Sequence, residues 1–306
     1  MNSKNNILIV GGTGFIGYHL AKKSLAKGWH VTSISSRPPK KIRYLPKVKY
    51  IICDISKKKS LKQNIRKYFK YVVNLGGYVD HSNKKKTFKS HYIGCKNLTE
   101  IFLKKFPVSF VQMGSCVEYG SLKSPQKENF KCNIKSVKSI YGKAKLLSST
   151  HMIDLFKKKN FPSTVLRLYL AYGPKQDVNR FLPIIISACI KNKKFPCSQG
   201  IQFRDFVHVQ DVVDAIIKSL INKNARGQII NIGSGKPRKI KNIIEYIKRV
   251  SNGGYPQFGK IKLRKDEILK LYPNIQKAKK KINWEPKILF ESGLKSTIKY
   301  YNEQSK

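Results

Sequence analysis

A phenol and a primary amine one helical turn apart are the first groups in this chain with the look of chemistry. In Tyr141-Gly142-Lys143-Ala144-Lys145, Tyr141 and Lys145 stand at i and i+4, on one face of a helix. A free tyrosine titrates near ~10, too high for proton exchange at neutral pH. A neighbouring ammonium favours the phenolate and lowers that value, which suits the proton transfer of an alcohol–ketone couple. In a chain rich in lysine and tyrosine the same spacing also arises on an ordinary helix surface. Ser115, in Met113-Gly114-Ser115-Cys116-Val117-Glu118-Tyr119-Gly120, ends an apolar run that reads as a strand. Open α/β sheets bind ligands at the carboxyl ends of their strands, so its hydroxyl could reach a reacting oxygen. A plain turn serine would read the same way.

The N-terminal stretch supplies a place for a hydride carrier. Ile7-Leu8-Ile9-Val10 runs into Gly11-Gly12-Thr13-Gly14-Phe15-Ile16-Gly17, and an apolar helical pattern follows. That is strand, tight turn, helix. Gly11 permits the turn, Gly14 lets a pyrophosphate approach the backbone, and Gly17 lets the helix lie close on the strand. The helix N-terminal N–H groups of Phe15, Ile16 and Gly17 then face the phosphate charge. Glycine also marks ordinary turns; the position between a strand and a helix is the context a dinucleotide demands. The second strand ends Ser33-Ile34-Ser35-Ser36-Arg37. NAD sites usually place an acidic residue near Ser35, whereas a nearby arginine accommodates a 2′-phosphate. Ser36 and Arg37 therefore favour NADP(H), with NAD(H) as the alternative; the plainer account is a basic loop in a basic protein.

Stepping outward, strands are expected at 30–35, 48–55, 71–75, 108–113 and 164–169, with helices at 61–69, 91–106 and 139–158. Strands alternating with helices imply parallel strands joined by crossovers, an α/β doubly wound sheet of the Rossmann type. Beyond Pro174 the pattern loosens to helices at 181–191 and 209–221, a strand at 228–232, and a lysine-rich region with Trp284-Glu285-Pro286. Residues 1–173 and about 207–233 are expected to form the NADP-binding Rossmann domain. Residues 174–206 and 234–306 would form a smaller, mostly C-terminal substrate lobe over the carboxyl ends of the strands.

The 306 residues carry 63 Lys and Arg against 16 Asp and Glu, a formal charge of +47. Such a field attracts nucleic acid, anionic membrane or phosphorylated ligands. The excess is nearly all lysine, dispersed and accompanied by Asn and Ile, which fits a bias towards A/T-rich codons. No nucleic-acid-binding module surrounds the lysine runs, so specific nucleic-acid binding is not expected and an anionic substrate is. No apolar stretch is long enough to span a bilayer, and the N-terminus does not read as a secretory signal. Six scattered cysteines without a Cys-x-x-Cys pair read as thiols of a reducing, cytoplasmic setting, not as a metal site or disulfide frame.

Taken in chain order, these segments resemble the extended short-chain dehydrogenase/reductase family of nucleotide-sugar epimerases, dehydratases and reductases, over nearly the whole chain. Gly11 through Gly17 looks like the family's cofactor loop. Asp54, followed by Ile55, looks like the acidic residue that contacts the adenine, and Gly76-Gly77 matches the fourth-strand turn. Ser115, Tyr141 and Lys145 look like the catalytic trio. Arg167 through Pro174 resembles the sixth-strand signature, and Arg204-Asp205-Phe206 is similar to a segment of the sugar-nucleotide lobe. Asn231 through Gly235 and Lys277 through Pro286 complete the match.

The resemblance implies roles. Tyr141 would exchange a proton with a sugar oxygen as hydride moves, Lys145 would hold the nicotinamide ribose, and Ser115 would orient the oxygen. Arg204 and Arg264 would clamp a substrate diphosphate, where a guanidinium fork suits phosphate oxygens, with Asn179 a further substrate contact. A homodimer is implied as well. Some positions depart from the pattern. Cys116 and Val117 stand where the family's 4,6-dehydratases carry Asp-Glu, so dehydration is not expected. His91 and Leu170 each replace a usual Asn, and Tyr78, Asp80 and His81 could face the sugar. The expected activity is an NADP(H)-dependent oxidoreductase on a nucleoside-diphosphate sugar, foremost reduction of a 4-keto, often 6-deoxy, sugar nucleotide. The alternatives are a C4 epimerase with retained NAD and, from another class, a noncatalytic nucleotide- or nucleic-acid-binding relative.

Overall fold

Short Val- and Ile-rich runs buried on both faces make parallel strands, and the helices between them return the chain to the same edge. The computed structural model describes residues 5–78, 82–263 and 267–304. Its first half runs β1 (Asn6–Val10), α1 (Phe15–Ala26), β2 (His30–Ser35), β3 (Val48–Ile52), α2 (Lys58–Asn64), β4 (Tyr71–Asn74), α3 (Lys84–Phe88), a π-helical stretch Lys89–Ile93, α4 (Gly94–Phe102), β5 (Ser109–Ser115), α5 (Ile140–Lys159) and β6 (Ser163–Leu168). The second half begins with β7 (Leu170–Tyr172), α6 (Phe181–Ile190), β8 (Lys194–Cys197), β9 (Phe203–Arg204), β10 (Phe206–His208), α7 (Val209–Ile221) and β11 (Ile229–Ile232). It closes with β12 (Arg238–Lys239), α8 (Ile240–Ser251), β13 (Tyr255–Phe258), β14 (Lys270–Leu271), α9 (Gln276–Ile282) and α10 (Phe290–Glu303).

Seven parallel strands form the sheet, in the order β11-β6-β5-β4-β1-β2-β3. The doubly wound sheet expected from the alternation is present. Strand β1 lies between β2 and β4, with Val10 in register with both Ile34 and Asn74. The chain order reverses there, and the carboxyl ends of the strands part to leave a crevice. One apolar layer packs α1 and α7 against the sheet through Leu20, Val212 and Ile216; the opposite layer includes Leu61, Leu98 and Met152. A third cluster, including Leu182, Ile186, Ile243, Ile247 and Leu294, builds the lobe from α6, α8 and α10.

Three local differences from the expected elements bear on the site. Strand β5 continues as far as Ser115, which pairs with Leu168, so the serine is held by the sheet. The single helix expected at 91–106 is instead α3, the π-helical stretch and α4, and His91 lies in the irregular part. Helix α9 and Trp284, both within the segment assigned to the lobe, pack into the sheet's own core. Ala278, Ile282 and Trp284 extend the apolar surface of α7 and β11, and Trp284 Nε1 donates to the Asp211 carbonyl at 2.9 Å. Among the described residues no helix is long and apolar enough to cross a membrane.

Candidate active site

The crevice is lined first by the glycine turn. Gly11 adopts φ +80°, a conformation in which L side chains are strained, and its N–H donates to the Ile34 carbonyl at 2.7 Å. A Cβ on Gly17 would stand 2.3 Å from the Gly11 oxygen, so helix and turn can close only on glycine. Gly14 precedes α1 and no side chain caps the helix there. The first N–H groups, those of Phe15, Ile16 and Gly17, therefore remain available to an anion. The Gly76 turn abuts this loop: a Cβ on Gly11 would lie 3.0 Å from the Leu75 carbonyl carbon. The Gly76 N–H donates to Asn74 Oδ1 at 3.0 Å, with Gly77 half-buried beside it. On the far side, the Thr13 N–H donates to Ser35 Oγ at 3.3 Å, and Ser36 and Arg37 are exposed at the end of β2. Asp54 is half-buried; one oxygen accepts from the Ser56 N–H at 2.9 Å. Ile55 is buried, and its carbonyl takes Asn97 Nδ2 at 2.9 Å. A turn of this shape, a free helix start and an adjacent carboxylate fit a dinucleotide.

The structure brings Ser115, Tyr141 and Lys145 together at the carboxyl end of β5. Ser139 caps α5 by accepting from the Gly142 N–H at 3.0 Å, which starts the helix just ahead of Tyr141. The Ser115 hydroxyl stands close enough to the Tyr141 phenol to favour its ionisation. Burial pushes the Tyr141 phenol up to about 12, and the Ser115 hydroxyl and Arg180 oppose that rise. Burial also brings the Lys145 ammonium down to about 8. Its Nζ donates to the Met113 carbonyl at 2.7 Å and lies 5.8 Å from the centre of the Tyr141 ring. The sequence suggested that the lysine would set the phenol low; in the folded chain desolvation is the larger effect, because the ammonium turns to the backbone. His91 packs edge-on against Tyr141 with ring centres 4.9 Å apart, and its Nε2 donates to the Tyr78 carbonyl at 3.3 Å.

Two neighbours of the trio escaped the sequence reading. Glu118, fully buried, accepts from the Ser115 N–H at 2.7 Å and from Arg167 Nε at 2.8 Å. Ser115-x-x-Glu118 is a capping-box spacing, and the box is formed, so this signal was present in the sequence. Arg180, preceding α6, acts electrostatically on Tyr141 from across the crevice; nothing local in the sequence marks it. Cys116 is buried with its thiol pushed up to about 12 by burial. Neither it nor Val117 supplies an acid–base pair beside the trio.

On the lobe side, β9 places Arg204 between β12 and β14. Arg204 is ion-paired with Glu267 through Nη2 and donates Nη1 to the Phe203 carbonyl at 2.9 Å. The guanidinium expected to be a free clamp thus already holds an anion. Next to it Asp205 is buried and accepts from the Ser234 N–H at 2.6 Å and hydroxyl at 2.9 Å, fixing the segment from below. Asn179 is exposed in the turn before α6. Leu170 begins β7 and is partly exposed. Arg264, Asp80 and His81 lie outside the described residues.

A seam joins the two halves. Arg43, buried at the β2–β3 connection, donates Nε to the Lys175 carbonyl at 3.0 Å and meets Asp177 at 3.1 Å. His19 donates to the Pro174 carbonyl at 2.9 Å and accepts from Gln210 at 3.1 Å. Burial, abetted by Lys175, Lys22 and Arg43, lowers the His19 pKa to about 4.

The family described as "NAD dependent epimerase/dehydratase family" matches residues 7–233. The chain is 26% identical to the UDP-N-acetyl-alpha-D-glucosaminuronate decarboxylase of Bacillus cytotoxicus, with 98% of each chain covered. It is also 26% identical to a putative UDP-glucose 4-epimerase of Methanocaldococcus jannaschii, covering 98% of this chain and 99% of that one. Its fold agrees with the UDP-glucose 4-epimerase of Thermotoga maritima solved with UDP-glucose, at a TM-score of 0.90 and 24% identity over 98% of this chain and 100% of that one. Since the family match spans most of the sequence, from the first strand through the last strand of the sheet, the protein belongs to the NAD dependent epimerase/dehydratase family of extended short-chain dehydrogenases/reductases.

Proposed function

We propose that the protein oxidises and re-reduces C4 of a UDP-linked sugar, a C4 epimerisation. The observation that carries this reading is the Ser115 hydroxyl beside the Tyr141 phenol at the end of β5, with Lys145 behind it and no carboxylate at 116 or 117. A bound nicotinamide supplies the hydride acceptor and donor. Tyr141, as its phenolate, takes the proton of the sugar hydroxyl and later returns it, while Ser115 fixes the oxygen between them. The Lys145 ammonium, with a pKa of about 8, stays protonated at neutral pH, and its charge favours the phenolate that acts as the base. Its buried N–H groups also suit the ribose hydroxyls of the cofactor. Elimination of water needs a second acid and base, and Cys116 and Val117 offer neither. Arg204 holds the diphosphate once Glu267 yields to it.

A second reading is net reduction of a 4-keto sugar nucleotide by NADPH. Ser35, Ser36 and Arg37 favour it, because a serine stands where a ribose-binding carboxylate would exclude a 2′-phosphate. Incubation with UDP-glucose, UDP-galactose and UDP-glucuronate under catalytic NAD+ separates the readings. Epimerisation gives product with no net change in nicotinamide absorbance, whereas reduction consumes NADPH one-for-one and only with a 4-keto substrate. Carbon dioxide released from UDP-glucuronate would instead mark decarboxylation, since a 4-keto uronate is a β-keto acid. Absence of any conversion with either cofactor contradicts the proposal.

A further inference from the structure

The proton and hydride transfers above make no use of a fully buried carboxylate beside the trio. Glu118 has no exposed surface, and Arg167, its partner, is 2% exposed. Each carboxylate oxygen has one donor, the Ser115 N–H on one and Arg167 Nε on the other. The Arg167 guanidinium lies 4.5 Å over the Tyr119 ring, and Tyr119 in turn donates to Asn231 at 2.8 Å. A Cβ on Gly114 would stand 2.6 Å from Glu118 Oε1, so the residue before the serine must be glycine for the carboxylate to reach the backbone. A buried ion pair is weak evidence for stability, because desolvation offsets the attraction. Here the pair sits directly beneath the one hydroxyl that must be placed to a fraction of an ångström.

We propose that Glu118, seated by Arg167 and admitted by Gly114, is the positioning residue for Ser115: it fixes the serine backbone so that the hydroxyl meets the Tyr141 phenol and the substrate oxygen together. The inference rests on the hydride-transfer reading and adds to it a second tier of residues. Glu118 also carries charge into the site. Tyr141 is faced by Ser115, Cys116 and Glu118 from the β5 end, by Arg180 from the start of α6, by His91 from the π-helical stretch and by Lys145 on its own helix. Among these Glu118 opposes ionisation of the phenol and favours the charged form of Lys145. Removing its negative charge moves both ionisations to lower pH.

The test compares Glu118→Gln and Gly114→Ala with the parent on whichever of the three UDP-sugars the parent converts. Glu118→Gln is expected to lower kcat by about 10- to 100-fold, the scale of a small misplacement of a reacting group. KM should change less than about threefold, and both limbs of the kcat–pH profile should move to lower pH. Gly114→Ala keeps the charge and displaces the carboxylate, so kcat should fall while the limbs stay in place. If Glu118→Gln does not fold around its unpaired arginine, Gly114→Ala and the double variant Glu118→Gln/Arg167→Gln give the decision by the same kcat readout. Folded variants with the parent's kcat and pH profile would overturn the positioning role alone. A parent inactive on all three sugars would remove the hydride-transfer reading and this inference with it.

Discussion

The two ends of the crevice are built by different means. At the catalytic end, Ser115 is the last residue of a buried strand, and Tyr141 and Lys145 ride one face of a 20-residue helix packed on that strand. Backbone contacts set all three: Ser139 caps the helix, Met113 receives the ammonium, and the sheet register holds the serine. At the lobe end, Arg204 stands on a two-residue strand, beside β12 and β14 from distant parts of the chain, and its charge is met by Glu267. The first end is preorganised by regular structure with one buried ion pair, Glu118–Arg167, beneath it, and the second by side-chain pairing. Damage to one should therefore appear as lost rate, and damage to the other as lost affinity.

The largest expected effect belongs to the strand-and-helix end. Tyr141→Phe removes the proton acceptor and should lower kcat by about 10²- to 10⁴-fold with little change in KM, read from initial rates on a UDP-sugar. An equal loss in KM would erase the distinction between the two ends. Arg204→Met should do the reverse, weakening UDP binding by about 10- to 100-fold, the scale of one charge-assisted hydrogen-bonded contact of about 1.5–3 kcal/mol, while kcat changes only a few-fold. Isothermal titration with UDP measures it directly, and a collapse of kcat would show that the lobe shares in the chemistry. A smaller effect belongs to the adenosine side. Arg37→Ala should weaken NADPH by about tenfold and NADH hardly at all, and equal losses for the two would remove Arg37 from cofactor choice.

The seam between the ends answers to pH. His19 and its neighbour His208, the last residue of β10, are each lowered to about 4, both chiefly by burial, so the folded chain keeps them neutral while the unfolded chain protonates them near 6.5. Their contribution is present above about 6.5 and is lost as the pH falls towards 4. Thermal unfolding should therefore show a falling Tm between those values, and His19→Gln should flatten part of the decline. A Tm that is level across that window in the parent would mean that the seam is not a closed, dry contact.

The catalytic end was legible in the sequence because its signals are local. The glycine spacing, the i, i+4 pair and the serine at a strand end each lie within a few residues, and the alternation of elements orders them along one sheet edge. Even there the sequence spoke only of charge: it favoured a lysine-depressed phenol, whereas burial, which no spacing records, drives Tyr141 the other way. The lobe end was not legible in the same manner. Two-residue strands have no periodicity, and Glu267 reaches Arg204 across 63 positions of chain. Helix α8 carries a readable stripe at Ile240, Ile243, Ile244 and Ile247, but the region is expected only as a lysine-rich part of the lobe. Arg180 reaches Tyr141 only because the chain folds back over the strand ends.

The central claim is that hydride leaves and returns to one sugar carbon in the pocket formed by Ser115, Tyr141 and Lys145. UDP-glucose deuterated at C4, incubated with the protein and NAD+ and followed by mass and NMR analysis of the sugar, tests it most directly. UDP-galactose with the deuterium still on C4 is expected, and none of this product from Tyr141→Phe. Epimerised product that has lost its deuterium to solvent, or that forms equally well without the tyrosine hydroxyl, would contradict it.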